Sequence, residues 1–377
     1  MESTGSQPAL SQQEAFARIR LLRSPNIGPI GYRQLIARFG SAGAALDALP
    51  DLASRGRGPY RPASAESIER EVMAVRAAGA RYLFHDQPDY PALLGEIDSA
   101  PPILTCRGNL ALASAPCVAL VGARNASAAA VKLARDFAAA LAEAGFTVVS
   151  GLARGIDGAA HEGAFPHTIG VIASGIDIAY PPQHTALQER IATDALLIAE
   201  QPPGTEPRGR HFPSRNRIIA GLASGTLVVE AAPQSGSLIT ARPAGEAGRE
   251  VMAIPGSPLD ARSLGCNQLI REGAVLVQTP DEEVELLQSF TGAPRSRFRV
   301  ADSPSDFDYA ELAKLDWGEA RADFSHDIAH LLTNAPVEID ELVRQSQATP
   351  AGVHMALLEL ELAGELVREA DGTVRRA

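Results

Sequence analysis

The sequence predicts an α/β protein built on a doubly wound parallel sheet, with a helical segment before it and a winged helix after it. Three observations predict this architecture. Across residues 118–288, short apolar β-branched runs alternate with helical segments. These runs are apolar on both faces, as strands covered by helices on each side must be. The residues before them follow a helical pattern, and the residues after them follow the order helix, helix, helix, two-stranded hairpin.

The first segment, residues 10–80, is predicted to be a helical domain, and its helical pattern extends from about Glu14 to Leu94. The run SPNIGPIGYRQLIARFG places Gly28 and Gly31 in a tight turn between two short helices. This turn resembles a helix-hairpin-helix, whose amides and helix N-terminus can hold a phosphate. A plain corner between two helices explains the same glycines equally well.

The second segment, residues 81–289, contains the predicted sheet of about seven strands. The strands are CVALVG (117–122), FTVVSG (146–151), TIGVIASG (168–175), ALLIAEQ (195–201), TLVVEAA (226–232), EVMAIPG (250–256) and AVLVQT (274–279). The helices between them are predicted near 127–144, 155–164, 183–193, 215–224, 236–248 and 266–272.

Residues 290–322 are polar and rich in Pro, Ser and Asp, which predicts a linker. The last segment, residues 323–377, is predicted to be a winged helix with a hairpin that has Asp-Gly at its tip. It carries ten acidic and four basic residues, and its third helix, within TPAGVHMALLELELAG, has no Lys or Arg. Reading DNA requires basic residues on that helix. We therefore expect this domain to bind a protein partner, with His354, Met355 and Leu358 as candidate contacts if they are exposed.

The overall charge and the cysteine content exclude several classes of protein. The 377 residues carry a formal net charge of −11, which argues against binding of nucleic acid by bulk charge and requires a local basic patch. Three cysteines without a CxxC pair support neither a zinc module nor a disulfide framework. The sequence shows no signal peptide and no apolar run long enough to span a membrane. We expect a cytoplasmic protein that does not contact a membrane.

Ligands of doubly wound sheets bind at the carboxyl edge of the strands. Residues placed there by the predicted strands include Gly122 and Arg124 after the first strand, and Ser235 and Ser237 after the fifth. No loop matches a dinucleotide-binding or P-loop pattern, so we expect neither NAD nor ATP, and no cofactor or metal.

The run RGRHFPSRNRIIAGLASG concentrates positive charge in an acidic chain. Arginine binds phosphate bidentately, and a neighbouring aromatic ring offers a stacking face for a base. The combination favours single-stranded nucleic acid. The alternative is that the arginines pair with acidic residues of the scaffold. The residues concerned are Arg208, Arg210, His211, Phe212, Arg215, Asn216 and Arg217.

An enzyme would need a catalytic group, and the candidates are weak. Asp157 and His161 are spaced i, i+4 on one predicted helix, but no third group completes a triad, and Asp157 is better explained as holding the preceding turn. Ser235 and Ser237 have no evident base.

Five motifs, in order and spacing, resemble the DNA-processing protein A family (DprA, also called Smf). They are VALVGAR, VVSGLARGIDGAAH, FPSRNRIIAGL, SGSLITARPAGEAGREVMAIPG and GCNQLIREGA. The resemblance covers about residues 80–290. It implies an extended Rossmann-like domain between an N-terminal domain that is similar to sterile alpha motifs and a C-terminal winged helix.

The resemblance also implies a function without catalysis. Such a protein binds single-stranded DNA, protects incoming strands, helps to load the RecA recombinase in natural transformation, and works as a homodimer. The positions that match the family's DNA pocket are Gly122, Arg124, Phe212, Arg215, Asn216 and Arg217, with the loop of Ser235 and Ser237 in the same crevice. One departure is Pro182, where the family often has a lysine, for which Arg190 or Arg208 could substitute.

Two further expectations concern assembly and the rival function. We expect dimerisation through the last βα unit, near Ile270 and Leu276, because no covering helix is evident in the polar residues that follow. The rival function is that of a phosphoribohydrolase-like enzyme with a related fold. Such an enzyme would act on a nucleoside monophosphate, with Arg124 and Glu230 around the substrate.

Overall fold

The computed structural model describes residues 10–53, 60–233, 235–289, 325–346, 348–369 and 372–377. They form two compact units. One combines the described residues of Met1–Arg70 and Asp302–Ala377, and the other lies within Glu71–Ala301. The predicted linker, residues 290–322, lies outside the described residues.

The larger unit contains a nine-stranded sheet. Its strands are β1 (Arg81–Phe84), β2 (Ile103–Gly108), β3 (Cys117–Val121), β4 (Thr147–Ser150), β5 (Thr168–Gly175), β6 (Leu196–Gln201), β7 (Gly225–Val228), β8 (Glu250–Ala253) and β9 (Val275–Leu276). They lie side by side in the order β1-β2-β6-β5-β4-β3-β7-β8-β9. All seven predicted strands are present, and from β6 to β9 neighbouring strands are parallel.

The chain reverses its direction of travel across the sheet at β3. Strands β4 to β6 are added on one side of β3, and the chain then returns to add β7 to β9 on the other side. Val118 consequently pairs with Val148 of β4 and with Gly225 of β7. A reversal of this kind opens a crevice at the carboxyl ends of the two central strands.

Helices cover both faces of the sheet, as predicted for a doubly wound fold. They are α5 (Ala92–Gly95), α6 (Ala128–Glu143), α7 (Ile156–Ala164), α8 (Thr185–Asp194), α9 (His211–Leu222), α10 (Leu238–Glu246), α11 (Leu264–Arg271) and α12 (Pro280–Gln288), with single 3₁₀ turns at Leu110–Ser114 and Pro182–His184. Residues of α9, α10 and α11 share one core with the sheet, and residues of α6, α7 and α12 share another.

Two expectations for this unit were wrong. The helical pattern does not continue to Leu94, because residues 81–84 form β1, whose four residues pair antiparallel with β2. The four residues of β1 run from exposed to buried without alternation, and so short a segment does not distinguish a strand from a helical turn. The last βα unit also has a covering helix, since α12 begins with a capping box at Thr279 and buries Leu286 and Leu287.

The smaller unit contains α1 (Gln12–Leu22), α2 (Pro29–Phe39), α3 (Ala42–Leu52), α13 (Ser325–Leu331), α14 (Ile339–Ser346), α15 (Pro350–Leu362) and the hairpin β10 (Leu366–Arg368) with β11 (Val374–Arg376). A further helix, α4 (Ala65–Ala77), spans the division between the units. Capping residues define the helix ends: the hydroxyls of Ser11, Ser41 and Thr349 cap α1, α3 and α15. Gly40, with φ of 73°, ends α2.

The third helix of the winged helix, α15, packs against the N-terminal helices. Leu358 and Leu362 belong to the same apolar core as Leu21 and Leu35. The proposed protein contacts on α15 are therefore wrong, because His354, Met355 and Leu358 are all at least 95% buried.

Candidate functional site

Three loops meet at the carboxyl edge of the central strands. The loop after β3 lies in the middle, and Ala123 makes a backbone hydrogen bond to each neighbour. Its amide donates to the Glu230 carbonyl after β7 at 2.7 Å, and its carbonyl accepts from Ile156, at the start of α7, at 3.3 Å. These loops form the floor of the crevice that the strand order predicts.

An exposed arginine and two aromatic rings lie together at this edge. The Arg124 guanidinium lies over the Phe212 ring, 5.0 Å from its centroid, and the Tyr180 ring lies 5.9 Å from that of Phe212. Arg124 is exposed, and Tyr180 is 42% exposed. A cation over a ring is attracted to its π face. The cluster therefore presents a positive charge and an aromatic surface to solvent side by side.

Arg215 lies beneath this surface, in the first turns of α9. It is 6% exposed, and its Nη1 atom lies 4.0 Å from Oδ2 of Asp157. A Cβ atom on Gly151 would lie 1.3 Å from the same Nη1 atom, so the guanidinium occupies the space that a side chain at this position would need. Within the described part of the chain, Nε of Arg215 has no hydrogen-bond partner. The charge of Arg215 is therefore only partly compensated.

Asp157 and His161 support the turn at residues 151–155. Oδ2 of Asp157 accepts from the amides of Gly151 at 3.2 Å and Ala153 at 3.4 Å, and Nε2 of His161 accepts from the amide of Leu152 at 3.3 Å. Burial raises the pKa of Asp157, which the Arg215 charge opposes, and burial lowers the pKa of His161 to about 3. His161 is consequently neutral, and the contacts of Asp157 agree with its predicted role of holding this turn.

Arg217 is tied to the scaffold instead of facing the crevice. Its guanidinium makes an ion pair with Glu200 and donates to the carbonyl of Ser99. We expected Arg217 to contact DNA, but these contacts correspond to the scaffold alternative for the arginine cluster. The charge that Arg217 carries is already neutralised by Glu200.

The remaining predicted residues connect α9 with the loop after β7. Nδ2 of Asn216 donates to the Gly236 carbonyl at 3.2 Å, and the hydroxyls of Ser235 and Ser237 are 2.8 Å apart. This loop therefore stays beside the N-terminal half of α9. Gly122 precedes Arg124, and a Cβ atom there would lie 2.5 Å from Cγ1 of Ile156, so only glycine allows α7 to approach β3 this closely.

Comparison with known proteins identifies the relatives of the chain. A family model described as DNA recombination-mediator protein A matches residues 81–288. The chain belongs to the DNA recombination-mediator protein A family. Models for a DprA-like N-terminal HHH domain and a DprA winged helix domain match residues 12–74 and 317–372.

Individual members of the family are similar over much of their length. Protein Smf of Escherichia coli is 36% identical over 318 residues, which are 82% of this chain and 81% of that protein. DNA processing protein DprA of Streptococcus pneumoniae is 49% identical over 191 residues, 50% of this chain and 67% of the relative. Its X-ray structure covers 73% of this chain and 98% of its own, with a TM-score of 0.62. A DNA processing protein A structure from Helicobacter pylori, described for its single-stranded DNA binding mode, is 27% identical and covers 56% of this chain and 97% of its own, with a TM-score of 0.51.

Arg190 and Arg208 are the two candidates to replace the lysine that the family often has at the position of Pro182. Arg190 does not lie at the crevice, because its guanidinium stacks over Phe165, 4.0 Å from the ring centroid, at the end of α7 that faces the opposite edge of the sheet. Arg208 lies in the loop that leads into α9 and is exposed. Arg208 is therefore the remaining candidate.

Sequence reasoning did not identify two contributors to the family's crevice in this chain. The sequence pattern assigns no role to Tyr180, although an aromatic residue just after a strand is a signal for a stacking surface. It places Gly151 only at the end of the predicted strand 146–151, because the role of this glycine in making room for Arg215 depends on α9, which is distant in sequence.

The described residues contain no group of three or more His, Cys, Asp or Glu side chains placed to hold a metal ion. In the same residues, each helix is too short or too polar to cross a bilayer. The three cysteines are buried thiols.

Proposed function

We propose that this chain is a recombination mediator that binds single-stranded DNA in the crevice at the carboxyl edge of β3 and β7. In this proposal it protects incoming strands and helps to load RecA during natural transformation, as a homodimer in the cytoplasm and without catalysis. The family membership and the single-stranded DNA binding mode described for the Helicobacter pylori relative support the choice of ligand.

The observation that carries the proposal is the cluster of Arg124, Phe212 and Tyr180. Single-strand binding combines a positive groove for the backbone with aromatic faces for the bases. Arg124 supplies an exposed cation, and the two rings supply stacking surface 5.9 Å apart. This arrangement favours a flexible strand with unpaired bases, since bases within a duplex are stacked on each other and do not offer a free face.

Arg215 and Asn216 contribute to the proposed site without being exposed contacts, the first through its charge and the second by positioning a loop. Arg215 places a buried, partly compensated positive charge under the turn at residues 151–155, which favours a phosphate above that turn. Asn216 keeps the loop of Ser235 and Ser237 against α9, so this loop forms a wall of the crevice. Arg217 is omitted from the proposed contacts because of its ion pair with Glu200.

The contacts of Glu230 argue against the rival phosphoribohydrolase function. One carboxylate oxygen accepts from the amide of Ser127 at 3.0 Å, and the other accepts from its hydroxyl at 2.7 Å. Ser127 in turn caps α6. A carboxylate engaged at a helix N-cap is poorly placed to act on a substrate, so we expect no release of free base from AMP.

Salt-dependent binding of oligo-dT tests the DNA contact of Arg124. Each phosphate contact contributes about −0.7 to the slope of log K against log salt for single strands. We expect Arg124→Ala to weaken binding and to flatten the slope by about that amount. The matched control is Arg135→Ala, which removes an exposed arginine that pairs with Glu162 on the outer helices. Equal slopes for the Arg124 variant and the unmodified protein would contradict the assignment.

Base stacking on Phe212 has an equally direct test. Phe212→Ala should cost about 1 to 3 kcal/mol of binding free energy, with little change in Tm. Phe165→Ala is the matched control because it removes another ring of the larger unit that carries an arginine, Arg190. A large fall in Tm for Phe212→Ala, with affinity lost in proportion, would show that the ring serves packing instead.

Loading of RecA is tested by assembling RecA on strands coated with single-strand binding protein. The proposal expects faster assembly with the unmodified chain than without it, and a smaller acceleration with the Arg124→Ala variant at the same protein concentration. Equal rates of RecA assembly with and without the unmodified chain would contradict the proposed loading function. They would not contradict the proposed binding of single-stranded DNA.

A further inference from the structure

The two ends of the chain carry opposite charge and fold into one unit. Residues 12–39, which form α1 and α2, contain five arginines and one glutamate. Residues 323–377 contain ten acidic and four basic residues. Both belong to the same compact unit. The acidic winged helix therefore lies against a basic partner within its own chain.

This contact covers one part of the third helix of the winged helix. Ten of the 13 residues of α15 are buried, and four of them, Val353, Ala356, Leu357 and Leu360, lie in the core of the winged helix itself, whereas Leu358 and Leu362 lie in the core of the N-terminal helices. Cδ1 of Leu358 lies 3.4 Å from where a Cβ atom on Gly31 would be, and Nδ2 of Asn26 donates to the Leu362 carbonyl at 3.2 Å. In winged helices that read DNA, this helix offers a face to the major groove. Here that helix packs on the turn between α1 and α2.

One carboxylate of α15 faces the start of α2. The Glu361 Oε1 atom lies 3.9 Å from the Cβ position of Gly28, which is the N-cap of α2, and Oε2 lies 3.8 Å from that of Gly31. Arg368 is the ion-pair partner of Glu361, at 3.6 Å. Burial raises the pKa of Glu361, an effect that Arg368 opposes. A second acidic residue of α15, Glu359, acts electrostatically on Arg38 of α2.

The first turn of a helix favours an anion, because its amides and the helix dipole both point positive charge outward. In a helix-hairpin-helix that anion is a phosphate of the nucleic-acid backbone. Glu361 places a carboxylate within 4 Å of the Cβ positions of Gly28 and Gly31, at this turn. Its second oxygen, Oε2, has no hydrogen-bond partner among the described residues, so the carboxylate blocks the turn without being firmly bonded to it.

We propose that the acidic winged helix is an intramolecular lid on the basic hairpin formed by α1 and α2. Glu361 takes the place of a DNA phosphate at residues 28–31, and duplex DNA reaches this turn only when α15 is displaced. The partner of the acidic winged helix is thus the chain's own N-terminal domain. This inference does not depend on the crevice between β3 and β7.

The test uses the full chain with Arg124→Ala, so that the crevice contributes less to binding, and a short DNA duplex as the probe. Glu361→Gln removes the blocking charge and keeps the shape of the side chain. We expect it to tighten duplex binding by about three- to tenfold, the range that a charge at a helix terminus supports. The matched control is Glu365→Gln, which makes the same charge change at an exposed residue just after α15 and should leave binding unchanged.

A second variant is designed to displace α15 by steric bulk instead of by a change of charge. Gly31→Gln adds a side chain where the Cβ atom already meets Leu358, so it should tighten duplex binding and speed amide hydrogen exchange in α15. Equal effects of Glu361→Gln and Glu365→Gln would show a response to net charge alone and would overturn the lid. Unchanged duplex binding in a Gly31→Gln protein whose α15 exchanges faster would overturn it as well. Oligo-dT binding with Arg124 intact reports separately on the crevice.

Discussion

Arg215 and Arg217 lie two positions apart in α9 and have different partners. Residues at this spacing point to nearly opposite sides of a helix. Arg215 points to the turn at residues 151–155 and meets Asp157, whereas Arg217 points to β6 and meets Glu200. The spacing within FPSRNR thus places Arg215 under the crevice, whereas Arg217 forms an ion pair that holds α9 against β6.

A substitution at Gly151 tests the position of Arg215. Gly151→Ala would place a Cβ atom on the guanidinium, so we expect a loss of about 1 to 3 kcal/mol of stability, typical of overpacking, together with weaker oligo-dT binding. Gly209→Ala, beside α9 with open space around its Cβ position, is the control and should change neither. Thermal unfolding and fluorescence anisotropy measure the two effects. A stable Gly151→Ala protein with normal affinity would contradict the described packing.

Glu283 is a buried acid without a partner in the described structure. It is 0% exposed, both carboxylate oxygens lack hydrogen bonds, and burial raises its pKa from 4.5 to about 8. Between these two values the folded protein keeps a proton that the unfolded chain releases. Stability contributed by this group therefore falls as pH rises through that window, by about 1.4 kcal/mol per pH unit.

Glu283→Gln should remove this dependence. We expect the variant to gain Tm over the unmodified protein progressively from about pH 5 to pH 8, with little difference near pH 4.5. Glu285→Gln changes an exposed acid on the same helix and should show no such trend. A Tm difference that does not vary with pH would mean that Glu283 is ionised in the folded protein.

At the scale of the secondary-structure elements, the edge strand β9 is the element through which we predict that two copies of the chain form a dimer. Among the residues that the structure describes, it is the last strand of the sheet and pairs with β8 alone. Its Leu276 side chain is 45% exposed, while Ile270 of α11 is half-buried against the core of the sheet. An edge strand with an exposed leucine is a natural pairing site for a second copy, although α12 covers one face beside it.

Leu276→Glu is the sharper probe of this dimer. We expect light scattering to show a dimer for the unmodified protein and a monomer for the variant, with binding weakened more for long strands than for short ones, because two crevices raise the effective concentration. Ile270→Glu would also disturb the core and is therefore less informative. Leu133→Glu changes another exposed leucine, on α6, and should remain dimeric. A monomeric unmodified protein would refute the proposal.

At the scale of the whole molecule, DNA binding is predicted to reside in the larger unit. That unit has its own cores on both faces of the sheet. A fragment of residues 71–289 should bind oligo-dT within about threefold of the full chain, a difference of about 0.6 kcal/mol. Removing the winged helix alone is a poorer test, since it would uncover the apolar neighbours of Leu358. A fragment that is folded by circular dichroism but binds tenfold more weakly would assign part of the affinity to the chain ends.

Much of the architecture is determined by the sequence itself. The seven parallel strands follow from apolar runs such as CVALVG and TIGVIASG, because only strands covered on both faces tolerate that pattern. The family and the position of the crevice follow from motifs in the loops after these strands. β1 does not follow from the sequence pattern, since four residues carry too little periodicity to be assigned. α12 does carry a sequence signal that the prediction left out, the capping box of Thr279 and Glu282.

The tertiary structure decided how the individual residues are used. Arg215 and Arg217 are indistinguishable by composition, and only the contacts with Asp157 and Glu200 separate their roles. The acidity of the winged helix indicated a protein partner but not which one, because the contact joins Gly31 to Leu358, more than three hundred residues away in the chain. Local pattern specifies secondary structure, whereas charge pairing and burial depend on which distant segments the fold brings together.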